Sequence, residues 1–383
     1  MANSGASPLL QGRIPVSVLT GFLGSGKTTL LNRLVRHPAM GKALVIINEF
    51  GAIGIDHDLI APSQEQETIV EMSSGCLCCT IRGDLQRTLR DAPWRFAREG
   101  QCWFDRVVIE TTGLADPAPI LHTLMTDPDL QTLYRLDAVI TTVDAATAMA
   151  TFDTQEEAVK QAAVADRILL TKTDLVDSPE LAVLEARLKS INPAADPIRT
   201  NHGQIDPALL FDAALFDPAS KSADVQAWLK AEAYEQDHAH GHTHHHHHDI
   251  NRHDDRIRAV CLTFDEPLPA ASFENWLDLL MMFKGQDVLR IKGILNLEGF
   301  EQPAVIHGVQ HIFHPPVMLD AWPSDDHRSR IVFITRDIDE AALRDTLSLL
   351  LRPVSSYSLA GWDDAPLNAP LDQAPASIGR GWA

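Results

Sequence analysis

The sequence has few cysteines, few basic residues and no long apolar run, and each shortage excludes a class of protein. Five cysteines in 383 residues are too few for a disulfide framework, and three of them fall within four residues. Lysine and arginine total 32 against 52 acidic residues, and the net charge of −20 argues against nucleic-acid or anionic-membrane partners. The longest apolar runs, such as Leu347 to Leu351, are far shorter than the roughly 18 residues of a membrane-spanning helix.

What is present is the composition of an ordinary globular protein. Hydrophobic residues make up 45% and charged residues 22% of a chain long enough for two or three domains. The stretch from Met1 to Arg13 lacks the basic flank and apolar core of a secretory signal. We therefore expect a cytoplasmic protein whose thiols stay reduced.

The first half of the chain alternates strand-like and helix-like patterns. Leucines at helical spacing predict helices at Lys27 to Arg36 and at Pro179 to Ser190. Short apolar runs predict strands at Ile14 to Thr20, Ala43 to Asn48, Arg106 to Thr111, Leu136 to Val143 and Asp166 to Thr171. This alternation predicts an α/β domain with a mostly parallel sheet.

A histidine-rich segment separates this half from a second domain. Nine histidines fall in the sixteen residues from His238 to His253. Beyond it, the pattern predicts a smaller α+β domain. Its predicted helices are Ala270 to Phe283 and Asp339 to Leu351, and its predicted strands are Arg256 to Phe264, Val288 to Leu297, Ala304 to Phe313 and Arg330 to Thr335. The predicted organisation is a nucleotide-binding domain at 1–230, a linker at 231–255, a C-terminal domain at 256–352 and a flexible tail at 353–383.

One motif between the first predicted strand and helix is typical of phosphate binding. The sequence GFLGSGKT at 21–28 matches GxxxxGK[ST] at every fixed position and predicts a P-loop. Its glycines let backbone N–H groups surround a β-phosphate, Lys27 is expected to bridge the β- and γ-phosphates, and Thr28 to offer a hydroxyl to Mg²⁺. The predicted nucleotide-binding residues here are Gly21, Gly24, Ser25, Gly26, Lys27, Thr28 and Thr29. A glycine-rich turn without a ligand is the alternative.

Glu110 ends the apolar run at 107–110, where a P-loop protein carries the acid that holds Mg²⁺ or its water. Together with the P-loop upstream, this position predicts a role for Glu110 with Thr28 in magnesium binding and with Lys27 in catalysis. A structural acid at a strand end is the alternative.

A second nucleotide element follows the strand ending at Thr171. Asp174 in the sequence TKTD can accept hydrogen bonds from N1 and N2 of guanine, whereas adenine offers no such pair of donors. Lys172 is expected to lie along the base, and Thr171 stands where asparagine is usual. The pattern favours GTP; an ATP-dependent kinase or ATPase sharing only the P-loop is the rival.

Three thiols and the histidine tract suggest metal binding. Cys76, Cys78 and Cys79 offer thiolates to a soft or borderline divalent ion, with buried packing or a redox pair as alternatives. Interchangeable imidazoles in the tract, beginning with His238, His240, His242 and His244, offer weaker sites, and a solvated linker is the alternative.

Taken together, these motifs resemble the CobW family of P-loop GTPases, relatives of the UreG and HypB nickel-insertion GTPases. The resemblance rests on GFLGSGKTTLL at 21–31, NEFG at 48–51, GCLCC at 75–79, IETTGLADP at 109–117 and TKTD at 171–174. Residues 288–294 and 307–310 resemble the C-terminal domain of the same family. Ala52 departs from the family, which commonly has glutamate there.

The resemblance implies a P-loop GTPase that uses GTP and Mg²⁺ to deliver a transition metal to a client metalloprotein or a cofactor-building enzyme. It makes Cys76, Cys78 and Cys79 the CxCC metal motif. Zinc is the expected metal because thiolate and imidazole suit it, with cobalt and nickel as alternatives. The rival functions are metal storage by the histidine tract and cobalt or nickel insertion in cofactor biosynthesis. A homodimer that depends on nucleotide or metal is a further expectation.

Overall fold

A computed structural model describes residues 12–49, 69–73, 78–211, 256–313 and 316–351. The first part of the chain contains these elements: β1 (Ile14–Gly21), α1 (Lys27–Leu34), β2 (Ala43–Glu49), β3 (Ile69–Ser73), α2 (Cys78–Arg95), β4 (Ala97–Arg98), β5 (Gln101–Cys102), β6 (Arg106–Thr111), α3 (Ala118–Thr126), α4 (Pro128–Leu133), β7 (Tyr134–Asp144), α5 (Ala148–Thr154), α6 (Glu156–Ala163), β8 (Arg167–Thr171), α7 (Ser178–Ile191) and β9 (Pro197–Arg199). The second part contains β10 (Ile257–Phe264), α8 (Ala270–Lys284), β11 (Val288–Leu295), β12 (Ala304–Val309), β13 (Ile312–Phe313), β14 (Val317–Met318), β15 (Ser329–Arg336) and α9 (Glu340–Leu351).

The first part forms a seven-stranded sheet in the order β3-β2-β6-β1-β7-β8-β9. Every neighbouring pair in it is parallel. Successive side chains of a strand point to opposite faces, so Val107 and Ile109 of β6 join a core with Leu85 of α2, whereas Val108 joins the core that contains Leu30 of α1. Helices therefore cover both faces, as the apolar runs of the sequence require.

The second part forms an antiparallel sheet in the order β10-β15-β11-β12-β13, with β14 also paired to β12. Helices α8 and α9 cover one face. There the Trp276 ring packs edge to face on Phe333 with 5.9 Å between ring centroids, and its indole N–H donates to the hydroxyl of Thr346 at 3.2 Å. The α+β character expected from the sequence is confirmed.

The other face of this sheet packs against the first domain. Val309 and Ile312 join the core beneath α2 and α3, and Leu289 and Ile334 join a core that includes residues of α6 and α7. The two domains thus share apolar cores.

Charged side chains are also buried in this interface. Arg290 donates to the Val164 carbonyl and to the Asp166 carboxylate, and Lys292 Nζ lies 3.0 Å from the same Asp166 oxygen. Asp166 also accepts a hydrogen bond from the backbone N–H of Val139 at 2.9 Å. All three charged groups are at most 7% exposed, so the interface contains a desolvated ion cluster.

The parallel P-loop domain and the smaller C-terminal domain agree with the sequence prediction, with differences at element ends. The predicted strand at 304–313 is two strands, β12 and β13, joined by a turn at Gln310, whose φ of 52° lies in the left-handed region. Helix α1 ends at Leu34 rather than Arg36. The division at 230 and 255 falls in residues outside the described ranges and stays a prediction. None of the helices in the described ranges combines the length and apolar character needed to cross a bilayer.

Candidate functional site

The P-loop lies between β1 and α1, at the carboxyl edge of the parallel sheet. Gly21, Gly24 and Gly26 have φ values of 141°, 72° and 94°, a region that side chains rarely adopt. Gly21 has a second constraint, because a Cβ there would lie 2.4 Å from the carbonyl oxygen of Thr142. Thr142 also fixes the loop from the other side, since its hydroxyl lies 2.7 Å from that of Ser25.

Lys27 begins α1 and reaches back over the loop. Its ammonium donates to the carbonyl oxygens of Gly21 at 2.9 Å and Phe22 at 3.3 Å, and the residue is only 8% exposed. A buried ammonium inside a ring of backbone groups at a helix N-terminus is suited to phosphate. Thr29, also a predicted ligand, lies exposed on α1.

Thr28 and Glu110 meet across the sheet although 82 residues separate them. The Thr28 hydroxyl donates to Glu110 Oε1 at 3.3 Å, and Glu110 is 7% exposed. Strand β6 pairs with β1 so that Glu110 lies opposite Leu19, two residues before the P-loop begins. The structure therefore brings together the two oxygen donors that the sequence predicts for magnesium.

The TKTD element follows β8, two strands from the P-loop. The Thr171 hydroxyl donates to the Ser25 carbonyl at 2.8 Å, so the element is attached directly to the P-loop. Lys172 has a left-handed φ of 53°, and its Nζ lies 2.6 Å from an Asp144 oxygen. Asp174 lies in the single 3-10 turn that follows and is exposed at the same edge.

Gly113, which lies in the IETTGLADP motif, and Gln161, which the sequence reasoning missed, hold these elements in place. A Cβ on Gly113 would lie 2.7 Å from the backbone nitrogen of Leu23, so the segment after Glu110 lies directly against the P-loop. Gln161 of α6 donates to the carbonyls of Gly113 at 3.2 Å and Ala115 at 2.9 Å. Nothing in the sequence around Gln161 indicates that its side chain holds the segment after Glu110. Asp144, in contrast, lies at the end of an apolar strand, as Glu110 does, so the argument that identified Glu110 could also have identified Asp144.

The predicted metal ligands fall largely outside the described residues. Cys76, His238, His240, His242 and His244 are not among them, and Cys78 and Cys79 are described only as the first backbone positions of α2. Within the described ranges, no group of three or more His, Cys, Asp and Glu side chains is arranged to hold a metal. The metal site stays a prediction.

Comparison with known proteins identifies two family domains. The model described as CobW/HypB/UreG, nucleotide-binding domain, matches residues 15–199. The model described as Cobalamin synthesis protein cobW C-terminal domain matches residues 257–351.

Two bacterial relatives match along most of their length. The zinc chaperone YjiA of Escherichia coli is 32% identical over 331 residues, which cover 86% of this chain and 96% of that protein. The zinc chaperone CobW of Pseudomonas aeruginosa is 32% identical over 371 residues, covering 88% and 92%. The crystal structure of Zn(II)-bound YjiA GTPase from E. coli has a TM-score of 0.64 at 26% identity and covers 90% of this chain and 100% of that one. With its P-loop, its TKTD element and both family domains, this chain belongs to the CobW/HypB/UreG family of P-loop GTPases.

Proposed function

We propose that this GTPase is a metallochaperone that binds zinc at Cys76, Cys78 and Cys79 and delivers it to a client metalloprotein. The observation that carries the proposal is the position of β3 and α2, the elements on either side of Cys76. The chain leaves β3 at Ser73 and enters α2 at Cys78, and β3 runs parallel to β1. Since β2 and β6 separate the two strands, β3 and β1 are roughly 14 Å apart at the usual strand spacing.

The names of relatives support the same activity. YjiA and CobW, which match this chain over most of their length, are both called zinc chaperones. Thiolate ligands favour zinc over harder ions, and the same ligands also suit cobalt and nickel.

The geometry of the P-loop edge supports GTP as the bound nucleotide. Backbone N–H groups of the loop and Lys27 would face the phosphates, while Lys172 and Asp174 would face the base. The Asp174 carboxylate would accept hydrogen bonds from N1–H and N2–H₂ of guanine, and adenine has no such pair of donors.

The donors of Thr28 and Glu110 fit magnesium. A hydroxyl and a carboxylate oxygen 3.3 Å apart are hard oxygen ligands, the kind that Mg²⁺ prefers. When bound, Mg²⁺ would neutralise charge that develops between the β- and γ-phosphates. Glu110 would orient the attacking water, and Lys27 would stabilise charge on the transferred phosphoryl group.

GTP would control the metal site through the segment from Asn48 to Asp56. Strand β2, which carries Asn48 and Glu49, lies between β3 and β6 and so connects the cysteine segment with the strand of Glu110. Contacts with the γ-phosphate would order this segment against the cysteines and form the high-affinity site, and hydrolysis would dismantle it.

The test is a metal titration in two nucleotide states. Tag-free protein is titrated with Co²⁺ in the presence of GDP or of a non-hydrolysable GTP analogue, and thiolate-to-cobalt charge transfer reports binding. Zn²⁺ and Ni²⁺ are then ranked by competition. We expect at least about tenfold tighter binding with the GTP analogue, and zinc as the strongest competitor.

Two single-cysteine variants separate site binding from general thiol chemistry. Cys79→Ser should abolish the charge-transfer band, whereas Cys102→Ser, at an exposed cysteine on β5 whose thiol donates to the Phe104 carbonyl, should retain it. Equal metal affinities in GDP and the GTP analogue would contradict the coupling.

The histidine tract is proposed as an accessory metal reservoir. Nine histidines in sixteen residues would raise the local metal concentration near the thiolates. Deletion of residues 238–248 should lower total metal capacity and leave metal-stimulated GTP hydrolysis in place. If that hydrolysis disappears with the tract, the histidines are required for the coupling and are not an accessory reservoir.

A further inference from the structure

Lys172, the lysine assigned to the guanine base, is held by a carboxylate that the TKTD motif does not contain. Its Nζ lies 2.6 Å from Asp144 Oδ2, at the end of the neighbouring strand β7. The Lys172 side chain is 41% exposed, whereas that of Asp144 is 9% exposed. The Asp144 carboxylate is therefore held inside the protein, whereas the Lys172 side chain is accessible from the proposed base site.

Asp144 is itself rigidly placed. Its Oδ1 accepts from the backbone N–H of Ala146 at 3.0 Å, which closes the turn after β7. Strand β7 pairs with β8 so that Asp144 lies directly opposite Thr171, the residue before Lys172. The carboxylate thus has one oxygen bound to its own turn and the other directed to the lysine.

The first residue of TKTD gives the lysine no such support. The Thr171 hydroxyl has one hydrogen to donate. Its shorter contact is with the Ser25 carbonyl at 2.8 Å, and its longer contact is with the Val143 carbonyl at 3.3 Å. This hydroxyl holds the P-loop, so orientation of Lys172 depends on another group.

We propose that Asp144 is a positioning residue for guanine recognition. By holding the ammonium of Lys172 at one end, it keeps the four methylene groups of the lysine extended, so that they present a flat apolar face to the purine ring. Without the carboxylate the lysine would sample many rotamers, and binding of the base would have to order it. This inference rests on the proposed base-binding role of Lys172 and Asp174.

The first experiment measures GDP affinity and GTP turnover for Asp144→Asn. This variant keeps the size of the side chain and removes its charge. We expect about tenfold weaker GDP binding and a similar rise in KM for GTP, with kcat within about twofold. Asp144→Glu, which keeps the charge, should recover most of the affinity. It also serves as the second variant if Asp144→Asn is poorly folded, which circular dichroism would reveal.

A double-mutant cycle shows whether Asp144 acts through Lys172. Lys172→Ala alone should weaken GDP binding, and Asp144→Asn added to it should weaken it no further, because the group it positions is already gone. The matched control is Asp153→Asn, which breaks an ion pair of 2.7 Å between α5 and α7 and should leave GDP affinity unchanged.

The outcomes are distinct. Unchanged GDP affinity in Asp144→Asn would overturn the positioning role. So would an equal loss of GDP affinity when Asp144→Asn is made in the unmodified protein and in Lys172→Ala. A fall in kcat at constant KM would also do so. Failure of the proposed base site would appear elsewhere: Asp174→Asn would then not shift preference from guanosine towards xanthosine nucleotides, whatever Asp144→Asn does.

Discussion

At Gly113 the backbone of the segment from Glu110 to Gly113 lies directly against Leu23 of the P-loop. Glu110, which contacts Thr28, lies only three residues earlier in the same segment. A shift of this segment away from Leu23 would therefore move the Glu110 carboxylate relative to Thr28. A glycine is required at this position because of packing, and not because of a left-handed φ.

We predict that Gly113→Ala slows GTP hydrolysis by roughly ten- to a hundredfold and leaves the protein folded. The added Cβ would lie 2.7 Å from the Leu23 nitrogen and 2.8 Å from its Cα, so one backbone must move and Glu110 is misplaced. Phosphate release under saturating GTP measures the effect.

Gly83→Ala is the control, because a Cβ at this helical position meets no atom within 4 Å. Its turnover should match that of the unmodified protein. Equal turnover in Gly113→Ala would show that the backbone near Leu23 can move to accommodate the added Cβ without slowing hydrolysis.

At the scale of elements, the turn between β12 and β13 connects the C-terminal domain to the segment after Glu110. Gln310 in this turn donates to Asp116 Oδ2 at 3.1 Å, and the other oxygen of Asp116 accepts from the Ala118 N–H at 2.9 Å, at the start of α3. The rings of His311 and His122 lie beside them, with centroids 5.9 Å apart. One carboxylate therefore links the N-terminus of α3 with the second domain.

We predict that Gln310→Ala makes the backbone amides of Ala115, Asp116 and Ala118 exchange hydrogen about fivefold faster. Loss of one hydrogen bond to a carboxylate costs about 1 kcal/mol of local stability when the acceptor keeps other partners. Hydrogen exchange read by mass spectrometry provides the measurement.

Gln302→Ala, at an exposed residue before β12, is the matched control and should leave the exchange unchanged. Protection of residues 115–118 that survives Gln310→Ala would mean that the segment is held by its own domain, through Gln161 for example.

At the scale of the whole molecule, the buried ion cluster of Asp166, Arg290 and Lys292 determines the electrostatics of the domain interface. Burial alone would raise the pKa of Asp166, but the charges of Arg290 and Lys292 outweigh it and hold this pKa well below its ordinary value. Burial lowers the pKa of Lys292 to about 7, and Arg290 acts in the same direction while Asp166 opposes it. Removal of the one carboxylate would leave two cationic groups buried together.

We predict that Asp166→Asn lowers the free energy of unfolding by about 3–5 kcal/mol at neutral pH. Because the pKa of Asp166 is lower in the folded than in the unfolded chain, its stabilisation is complete above the unfolded-state pKa near 4 and is lost as the pH falls further. The difference between the two proteins in denaturant unfolding should therefore shrink below about pH 4.

Asp326→Asn tests whether any lost ion pair has this effect. Asp326 pairs with Arg328 at 3.0 Å, and both side chains are partly exposed, so its removal should cost less than about 1 kcal/mol. An equally small cost for Asp166→Asn would mean that the interface holds without the cluster.

The local pattern of the sequence determined the chemistry of this protein. The spacing of Gly21 to Thr28, the apolar strand ending at Glu110 and the carboxylate of Asp174 predicted a nucleotide site because each motif is a short run with its own hydrogen-bonding requirement. The same patterns predicted the parallel sheet, since apolar runs covered on both faces alternate with amphipathic helices. They did not predict β3, α2, α3 to α6 or β9. The strands and the helices α3 to α6 are short segments with few apolar residues each, and α2 contains Pro93.

Only the tertiary structure decided which residues meet. The contact of Thr28 with Glu110 spans 82 residues and that of Lys292 with Asp166 spans 126. Such pairs follow from strand order and from the packing of one domain on the other, which no local pattern encodes. Asp144 illustrates the reason: the sequence shows an acid at a strand end, but only the pairing of β7 with β8 brings it to Lys172.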